Sequence, residues 1–391
     1  MIYLDNAATS WPKPESVYRI ADQVLREESG NPGRSGHALS LAARRRIEET
    51  RLLLAKLFNI PKPERIVFTL NATDALNLAI KGLAMKGLFE KGGAHVITSS
   101  MEHNSVTRPL EALQKQGLEY TKIATCPVNG ADPGDVKAAI KKNTKLVVWN
   151  HVSNVCGTMN PIAEIGAICR EKNIPFLVDA AQSAGTIPID VRSMGISLLA
   201  FPGHKGLFGP QGTGGLYIGE GLDPLPLREG GTGSHAEDSI QPQELPDRYE
   251  SGTMNVAGIA ALGEGIRFLL GQGLEDVQKH EAKLAGRLID AIHDLPGLKL
   301  HGPPSGPCCT GVVSVSFDNL APTEAALVLE NTFGIAVRPG LHCAPDAHRT
   351  LGTLASGGTV RMGIGYLNTE KDIDRCAKAL TAISRENHEP A

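Results

Sequence analysis

The sequence predicts an α/β fold with a large domain on a mostly parallel β-sheet and a smaller α+β domain toward the C-terminus. Between residues 66 and 201, short β-rich runs alternate with helical patterns of about ten or more residues, as in parallel sheets covered by helices on both faces. From Gly311 onward the elements are shorter and mixed. We therefore predict a large domain over residues 15–262 and a smaller one over 263–391 that also includes residues 1–14.

The elements of the large domain follow from hydrophobic periodicity. The predicted strands are Ile66–Thr69, His95–Thr98, Lys145–Asn150, a run ending at Asp179, and Leu198–Phe201. The predicted helices are Val17–Glu27, Leu41–Phe58, Ala75–Met85, Val106–Gln116 and Ile162–Lys172. The stretch Gly219–Arg248 is rich in glycine, proline and polar residues and is too long for an ordinary connection, so we expect a functional or disordered loop.

Helical spacing resumes in the second half of the chain. We predict helices within Gly252–Leu270 and Leu274–Leu295, then strand Val312–Phe317, helix Thr323–Thr332, strand Ile335–Pro339, a loop through Cys343, strand Thr359–Gly363 and a helix from Glu370. The sequence shows no internal repeat.

Composition narrows the class of protein. The chain has 391 residues, of which 41% are hydrophobic and 21% charged, as in an ordinary globular protein. A net charge of −3 argues against nucleic acid and anionic membrane surfaces as partners. No apolar run is long enough for a membrane span, and the first residues do not resemble a signal peptide. Seven cysteines without a CxxC pair indicate free thiols in a cytoplasmic protein.

Five polar side chains come just after predicted strands. They are Thr73, His103, Asn154, Asp179 and Lys205. Ligands of parallel sheets bind beyond the carboxyl ends of the strands, so one crevice could collect all five.

Asp179 and Lys205 together suit pyridoxal phosphate (PLP). The lysine would form a Schiff base with the aldehyde, and the carboxylate would keep the pyridine nitrogen protonated. Gln182, three residues after Asp179, could donate to the phenolic oxygen. The ordinary alternative for each residue is a solvated loop position, but four residues without charge precede Asp179, and a buried carboxylate needs a partner.

Each of the other candidate site residues could have an ordinary structural role instead of a role in binding or catalysis. The segment around Ala72 and Thr73 could bind an anion or only cap a helix. His103 could stack on a pyridine ring or be a loop histidine, and Arg361 with Asn154 could hold a carboxylate, although a strand arginine is more often part of an ion pair. Cys343, next to a histidine in a loop, could be a partly ionised nucleophile or an inert thiol. We predict no metal site.

The sequence resembles the cysteine desulfurases of the class-V aminotransferase superfamily, and most of all the Suf-type (group II) branch and the selenocysteine lyases. The resemblance covers almost the whole chain. It is carried by YLDNAAT (Tyr3–Thr9), NATDALN (Asn71–Asn77), MEHNS (Met101–Ser105), SNVCGT (Ser153–Thr158), VDAAQSAG (Val178–Gly185), GHKGLFGPQGTGGLYI (Gly203–Ile218), RYESGTMN (Arg248–Asn255), RPGLHCAP (Arg338–Pro345) and TVRMGIGYLNTEKDID (Thr359–Asp374).

The resemblance implies a PLP-dependent transferase of fold type I that converts L-cysteine to L-alanine and passes sulfur to an acceptor, with L-selenocysteine as an alternative substrate. Carried over by position, the cofactor residues are Ala72, Thr73, His103, Asp179, Gln182, His204, Lys205 and Thr253, the last serving the neighbouring subunit of a homodimer. Asn154, Arg361, Arg34 and His37 match substrate-binding positions, and Lys205, Cys343 and His103 match catalytic ones.

Three positions depart from the family pattern. Pro202 stands where a phosphate-binding serine is expected, Gly206 is an extra glycine after the lysine, and Leu341 replaces a histidine beside Cys343. Rival functions on the same scaffold are selenocysteine lyase, cysteine-sulfinate desulfinase and aminotransferase. A cofactor-free nucleotide-binding or sulfur-relay protein is the rival from another class, but no G-x-G-x-x-G follows the first strand and no P-loop is present.

Overall fold

The structure is a computed structural model, and it describes residues 1–33, 36–87, 93–234, 237–304 and 310–388. The first half contains β1 (Ile2–Tyr3), α1 (Glu15–Glu27), α2 (Ala38–Phe58), β2 (Ile66–Thr69), α3 (Ala72–Met85), β3 (His95–Ser99), α4 (Asn104–Gln114), β4 (Glu119–Ile123), α5 (Pro133–Ala139), β5 (Thr144–Asn150), α6 (Ile162–Glu171), β6 (Phe176–Asp179) and β7 (Leu198–Pro202). The second half contains β8 (Gly214–Ile218), α7 (Val256–Gln272), α8 (Leu274–Ile292), β9 (Leu298–His301), β10 (Val312–Phe317), α9 (Pro322–Phe333), β11 (Ile335–Ala336), β12 (Arg338–Gly340), α10 (Pro345–Leu351), β13 (Thr359–Gly363) and α11 (Glu370–His388).

The large sheet has the order β2-β8-β7-β6-β5-β3-β4 in the described part of the chain. The pairs β4/β3, β3/β5, β5/β6 and β6/β7 are parallel, whereas β8 runs antiparallel to both β7 and β2. The predicted mostly parallel sheet is therefore confirmed. Every residue of β3 and β6 is buried, as expected for strands covered by helices on both faces. The carboxyl ends of β3, β5, β6 and β7 lie along one edge.

A second sheet of order β12-β13-β10-β9 lies in the C-terminal part, with its apolar residues packed against α8, α9 and α11. The N-terminal strand β1 pairs in parallel with β11, so the first residues of the chain join this part of the molecule. The predicted division at residue 262 falls inside α7, which runs unbroken from Val256 to Gln272. The domain bounds remain a prediction.

Strand β8 is not among the predicted strands, because glycines are uncommon in strands. The glycines of β8 are needed for close packing: a Cβ on Gly214 would lie 2.8 Å from Asn71 Cα, and one on Gly215 would lie 2.4 Å from Phe201 Cζ. Short edge elements such as β4, α5 and β9 were also missed, since they carry too few periodic residues to stand out.

The predicted strand Ile335–Pro339 is wrong as one element. It divides into β11 and β12, which pair in two different sheets. Helix α3 begins three residues earlier than predicted, because the side chain of Asn71 accepts the N–H of Asp74 at 2.9 Å and caps it. The described residues of Gly219–Arg248 contain neither helix nor strand, as predicted. Among the described helices, none is both long and apolar enough to cross a bilayer.

Candidate active site

The carboxyl-end edge of the large sheet opens into a cleft of about 530 Å³. Most of the residues predicted from the sequence line it together. They are Ala72, Thr73, His103, Asn154, Asp179, Gln182, His204 and Lys205. The convergence follows from topology, because each of these residues comes shortly after a strand of one mostly parallel sheet.

Asp179 and Lys205 form the charged pair of the cleft. Asp179 ends β6 and is 4% exposed, and its Oδ1 accepts the N–H of Ala181 at 2.8 Å. Burial raises the pKa of Asp179, while the positive charge of Lys205 opposes that rise. Burial in the cleft, with the charge of Arg361 adding to it, lowers the pKa of Lys205 to about 8. No hydrogen bond within the described part of the chain occupies the Lys205 amine, so this amine is available as a nucleophile or base.

A hydrogen-bonded chain runs from helix α3 to the histidine of the cleft. Thr73 Oγ1 lies 2.7 Å from Ser105 Oγ, which lies 2.8 Å from His103 Nδ1. The same Nδ1 accepts the backbone N–H of Ser105 at 3.1 Å, which puts the proton of the neutral ring on Nε2. Burial, with the charge of Lys205 next in importance, lowers the pKa of His103 to about 4, so the ring is neutral near pH 7. Sequence reasoning did not single out Ser105, although it lies two residues after His103.

One end of the cleft suits an anion. Helix α3 begins at Ala72, and the first N–H groups of a helix have no partner within the helix. His204 lines the same cleft, and its buried Nδ1 has no hydrogen-bond partner in the described residues. Burial and the nearby Lys205 lower the pKa of His204 to about 4. This end of the cleft can therefore donate hydrogen bonds to a phosphate.

Arg361 and Asn154 are hydrogen-bonded to each other, and each also makes a hydrogen bond to another part of the chain. The guanidinium of Arg361 is 1% exposed; Nη1 donates to Asn154 O at 2.8 Å and Nη2 to Asp5 Oδ1 at 3.1 Å. Its Nε has no partner in the described residues, and burial lowers its pKa to about 10. Asn154 Nδ2 donates to the carbonyl of His342 at 2.7 Å. Asn154 thus connects the cleft to the loop that carries Cys343.

Cys343 is exposed at the entrance to the cleft. It lines an outer pocket of about 680 Å³ with Thr73, His103 and Ser105, which also line the cleft. The backbone N–H of Asn104 donates to Cys343 O at 2.8 Å and ties the loop to the residue after His103.

The histidine beside the cysteine is hydrogen-bonded to a threonine of β13, so the structure gives no support for the possibility that it ionises the thiol. The ring of His342 is buried, and its Nε2 lies 3.0 Å from Thr359 Oγ1. Burial, with Arg361 next, lowers its pKa to about 2, so the ring carries no charge that could stabilise a thiolate. A different cation contacts the thiol: Arg338 Nη2 lies 3.9 Å from Cys343 Sγ.

Two of the predicted residues, Thr253 and His37, lie away from the cleft. Thr253 lines a separate pocket of about 1270 Å³ together with Asn31, Pro32 and Gly33. His37 is exposed and caps α2, with Nδ1 accepting the N–H of Ser40 at 3.3 Å. Arg34 lies outside the described residues.

The departures from the family pattern have structural consequences. Pro202 ends β7 and lines the cleft without offering a hydroxyl. A Cβ on Gly206 would lie 2.6 Å from Ala184 O and 2.7 Å from Thr186 Cγ2, so only glycine fits there without a shift. Leu341 precedes the turn and accepts the N–H of Ala344 at 2.9 Å through its carbonyl. In the described residues, no cluster of three or more His, Cys, Asp or Glu side chains could hold a metal ion.

Comparison with known proteins agrees with this geometry. The family described as aminotransferase class-V matches residues 2–376. The chain belongs to the class-V aminotransferase family. The family resemblance recognised in the sequence is confirmed, whereas the Suf-type branch remains a prediction.

Relatives within the family carry one recurring name. A probable cysteine desulfurase of Methanothermobacter thermautotrophicus is 36% identical over 98% of this chain and 94% of its own length. Cysteine desulfurase IscS of Dictyoglomus turgidum is 32% identical, again over 98% of this chain and 94% of its own. The apo structure of a cysteine desulfurase from Thermococcus onnurineus NA1 superposes with a TM-score of 0.91 at 34% identity, covering 98% of this chain and 95% of that one. The predicted fold class is confirmed.

Proposed function

We propose that this protein is a PLP-dependent cysteine desulfurase that converts L-cysteine to L-alanine and collects the sulfur as a persulfide on Cys343. The observation that carries the proposal is the arrangement of the cleft: a lysine of lowered pKa and a buried aspartate face one cavity, and an exposed cysteine stands at its entrance. The names of the family relatives support the same reaction.

The cleft fits PLP. The start of α3, Thr73 and His204 would hold the phosphate, and His204 Nδ1 would gain the partner that it lacks. Asp179 would face the ring nitrogen, Gln182 the phenolic oxygen, and the neutral ring of His103 would stack on the pyridine. When bound, the cofactor supplies an electron sink for the bond changes at the substrate carbons.

The residues of this chain perform the other tasks. Lys205 would hold the cofactor, and its amine has a suitable pKa to accept the Cα proton of the substrate. Arg361 and Asn154 orient the substrate carboxylate. The thiolate of Cys343 attacks the substrate sulfur: a new S–S bond forms, the Cβ–S bond breaks, and its electron pair returns to carbon, which is protonated to give alanine. Arg338 Nη2 lies 3.9 Å from Cys343 Sγ and can donate a hydrogen bond to it.

Further features belong to this proposal. Thr253 shares its pocket with Asn31, Pro32 and Gly33, which come just before Arg34 in the sequence. In the proposed homodimer, Thr253 and this loop would both reach the neighbouring subunit. The persulfide would pass to an acceptor thiol or protein. The five cysteines that the structure describes are free thiols, in keeping with the predicted cytoplasmic location.

A product assay tests the proposal. Purified protein is given L-cysteine or L-selenocysteine, with and without a reductant, and alanine and sulfide or selenide are measured. We expect equal amounts of alanine and sulfur product, no turnover with Lys205→Ala, and loss of sulfide release with Cys343→Ser. Cys126→Ser, which removes another exposed thiol, is the matched control and should behave as wild type.

The outcomes separate the rivals. A preference for selenocysteine that persists in Cys343→Ser would indicate selenocysteine lyase, because selenide leaves more readily and needs the thiol less. Consumption of a keto acid would indicate an aminotransferase. A colourless protein without a borohydride-reducible chromophore would overturn the cofactor assignment.

A further inference from the structure

Several donors converge on the carbonyl oxygen of His204, the residue immediately before Lys205. The backbone N–H of Ser10 lies 3.0 Å from it, Thr9 Oγ1 3.1 Å, Ser10 Oγ 3.2 Å and Lys13 Nζ 3.5 Å. A carbonyl oxygen has two lone pairs and is satisfied by one or two donors. Four donors from one short N-terminal stretch therefore surround one carbonyl oxygen, and Lys13 Nζ is the most distant of the four.

Lys13 is the charged member of this group. Its Nζ also donates to Ser10 Oγ at 2.9 Å and to Ser10 O at 3.0 Å. No carboxylate of the described residues lies within ion-pair distance of it, so its contacts are these neutral oxygens, and burial lowers its pKa to about 8. Lys13 does not line the cleft. Burying an ammonium without an acidic partner is unfavourable, which suggests a use for it other than surface charge.

The stretch that contains Lys13 also contacts other residues of the proposed site. Asp5 Oδ1 accepts from Arg361 Nη2 at 3.1 Å, and Ala7 O accepts from Gln182 Nε2 at 3.0 Å. One continuous segment, 5–13, thereby contacts the proposed carboxylate-binding arginine, the proposed ligand of the phenolic oxygen and the peptide that carries the proposed Schiff-base lysine.

We propose that Lys13 is a positioning residue for Lys205: with Thr9 and Ser10 it holds the His204 carbonyl and so fixes the backbone from which the Lys205 side chain extends. This inference rests on the proposed function. An amine held in one direction meets the cofactor aldehyde with less loss of conformational freedom than a mobile one. The charge of Lys13 also contributes, after burial and Lys205, to the lowered pKa of His204.

The experiment compares Lys13→Met, which keeps the length of the side chain but removes its charge and donors, with Lys13→Gln and Lys13→Arg. Lys86→Met, which breaks an exposed ion pair with Asp223 of 2.9 Å, is the control for losing a lysine. Amide hydrogen exchange of the peptide containing Lys205 is measured on the proteins as purified. The affinity for PLP and the pH midpoint of the visible absorption of the bound cofactor are measured in parallel.

We expect Lys13→Met to exchange faster at Lys205 and to bind PLP about tenfold more weakly, the effect of one lost charge-assisted hydrogen bond. The pH midpoint should move upward because a nearby positive charge is gone. Lys13→Gln, which keeps a donor but has no charge, should be intermediate in exchange and in PLP affinity and should share the shifted midpoint. Lys13→Arg should restore the midpoint. If Lys13→Met cannot be purified folded, the comparison of Lys13→Gln with Lys13→Arg decides.

Unchanged exchange in Lys13→Met would overturn the inference. So would faster exchange with unchanged PLP affinity and midpoint, because the held carbonyl would then have no consequence for the cofactor. Failure of the proposed function looks different: wild type itself would bind no PLP, and hydrogen exchange would still decide whether Lys13 holds the peptide.

Discussion

Glu102 precedes His103 and is completely buried. Its Oε1 accepts the N–H of Asn150 at 3.1 Å and contacts Ser99 Oγ, whereas its Oε2 has no partner in the described residues. Burial raises the pKa of Glu102 to about 8, and the nearby charge of Asp179 adds to the rise. Two neighbouring buried carboxyls rarely ionise together, so Glu102 stays protonated near neutral pH.

A substitution at Glu102 should change how stability depends on pH. The unfolded chain gives up this proton near pH 4.5, but the folded protein keeps it until about pH 8, so wild-type stability falls as pH rises through that window. Glu102→Gln cannot titrate. Its stability relative to wild type should therefore rise by up to about 1.4 kcal/mol per pH unit in the window and level off above it. Urea unfolding across the window measures this, with the exposed Glu164→Gln as control; a difference independent of pH would contradict the assignment.

The loop that carries Cys343 has an uncommon backbone. His342 and Cys343 are both left-handed, with φ of +49° and +57°, a conformation that costs residues other than glycine about 1 kcal/mol or more each. Such a conformation persists only where neighbours hold it. Three contacts do so here: Asn154 Nδ2 to His342 O, Asn104 N–H to Cys343 O, and Thr359 Oγ1 to the His342 ring.

Removing one of these contacts should affect the sulfur step more than substrate binding. Thr359→Val deletes the hydroxyl that meets His342 Nε2 and nearly keeps the side-chain volume. We expect kcat for cysteine to fall roughly fivefold, the effect of about one hydrogen bond, with KM little changed and alkylation of Cys343 altered in rate. Thr144→Val is the control for losing a threonine hydroxyl, which there contacts His95 Nδ1 at 2.9 Å and accepts the N–H of Lys141 at 2.7 Å, far along the sheet. Equal effects of the two variants would argue against a positioning role.

At the scale of the molecule, the N-terminal segment connects the two main sheets. β1 pairs with β11, Asp5 bridges to Gly363 of β13, and the residues that follow reach His204 beyond the end of β7. Thr253, which is proposed to serve the neighbouring subunit, is separate from these contacts. It lies in a pocket of its own, away from the cleft that the other proposed cofactor residues share.

Mixed dimers test the proposed role of Thr253. Thr253→Val alone should bind PLP about tenfold more weakly, as expected for one lost hydrogen bond to a charged group. If Thr253 serves the neighbouring subunit, a dimer of one Thr253→Val chain and one Lys205→Ala chain has one site with both native residues. At a PLP concentration that does not saturate Thr253→Val, the purified mixed dimer should show about half of the wild-type imine absorption. Binding by the mixed dimer no better than the average of the two variants would show that Thr253 acts elsewhere.

Many of the site residues could be predicted because each of them follows a strand that is recognisable from its own short stretch of sequence. An apolar run followed by Asp179, or by Pro202 to Lys205, marks a strand and its carboxyl end, and a parallel sheet brings such ends to one edge whatever the details of packing. Predictions failed where a distant neighbour decides the outcome. The glycines of β8 look like a loop until Phe201 and Asn71 are packed against them.

The amino-acid order was therefore enough to indicate the alternating α/β architecture and the lysine and aspartate of the cleft, since periodicity and chain order specify these directly. The role of Cys343 came from the family resemblance instead. Packing alone settled that the ring of His342 is buried and neutral, that Asn154 holds the Cys343 loop, and that Lys13 reaches the carbonyl before Lys205. Desolvation and contacts between residues far apart in the chain exist only once the chain is folded, and neither can be read from spacing.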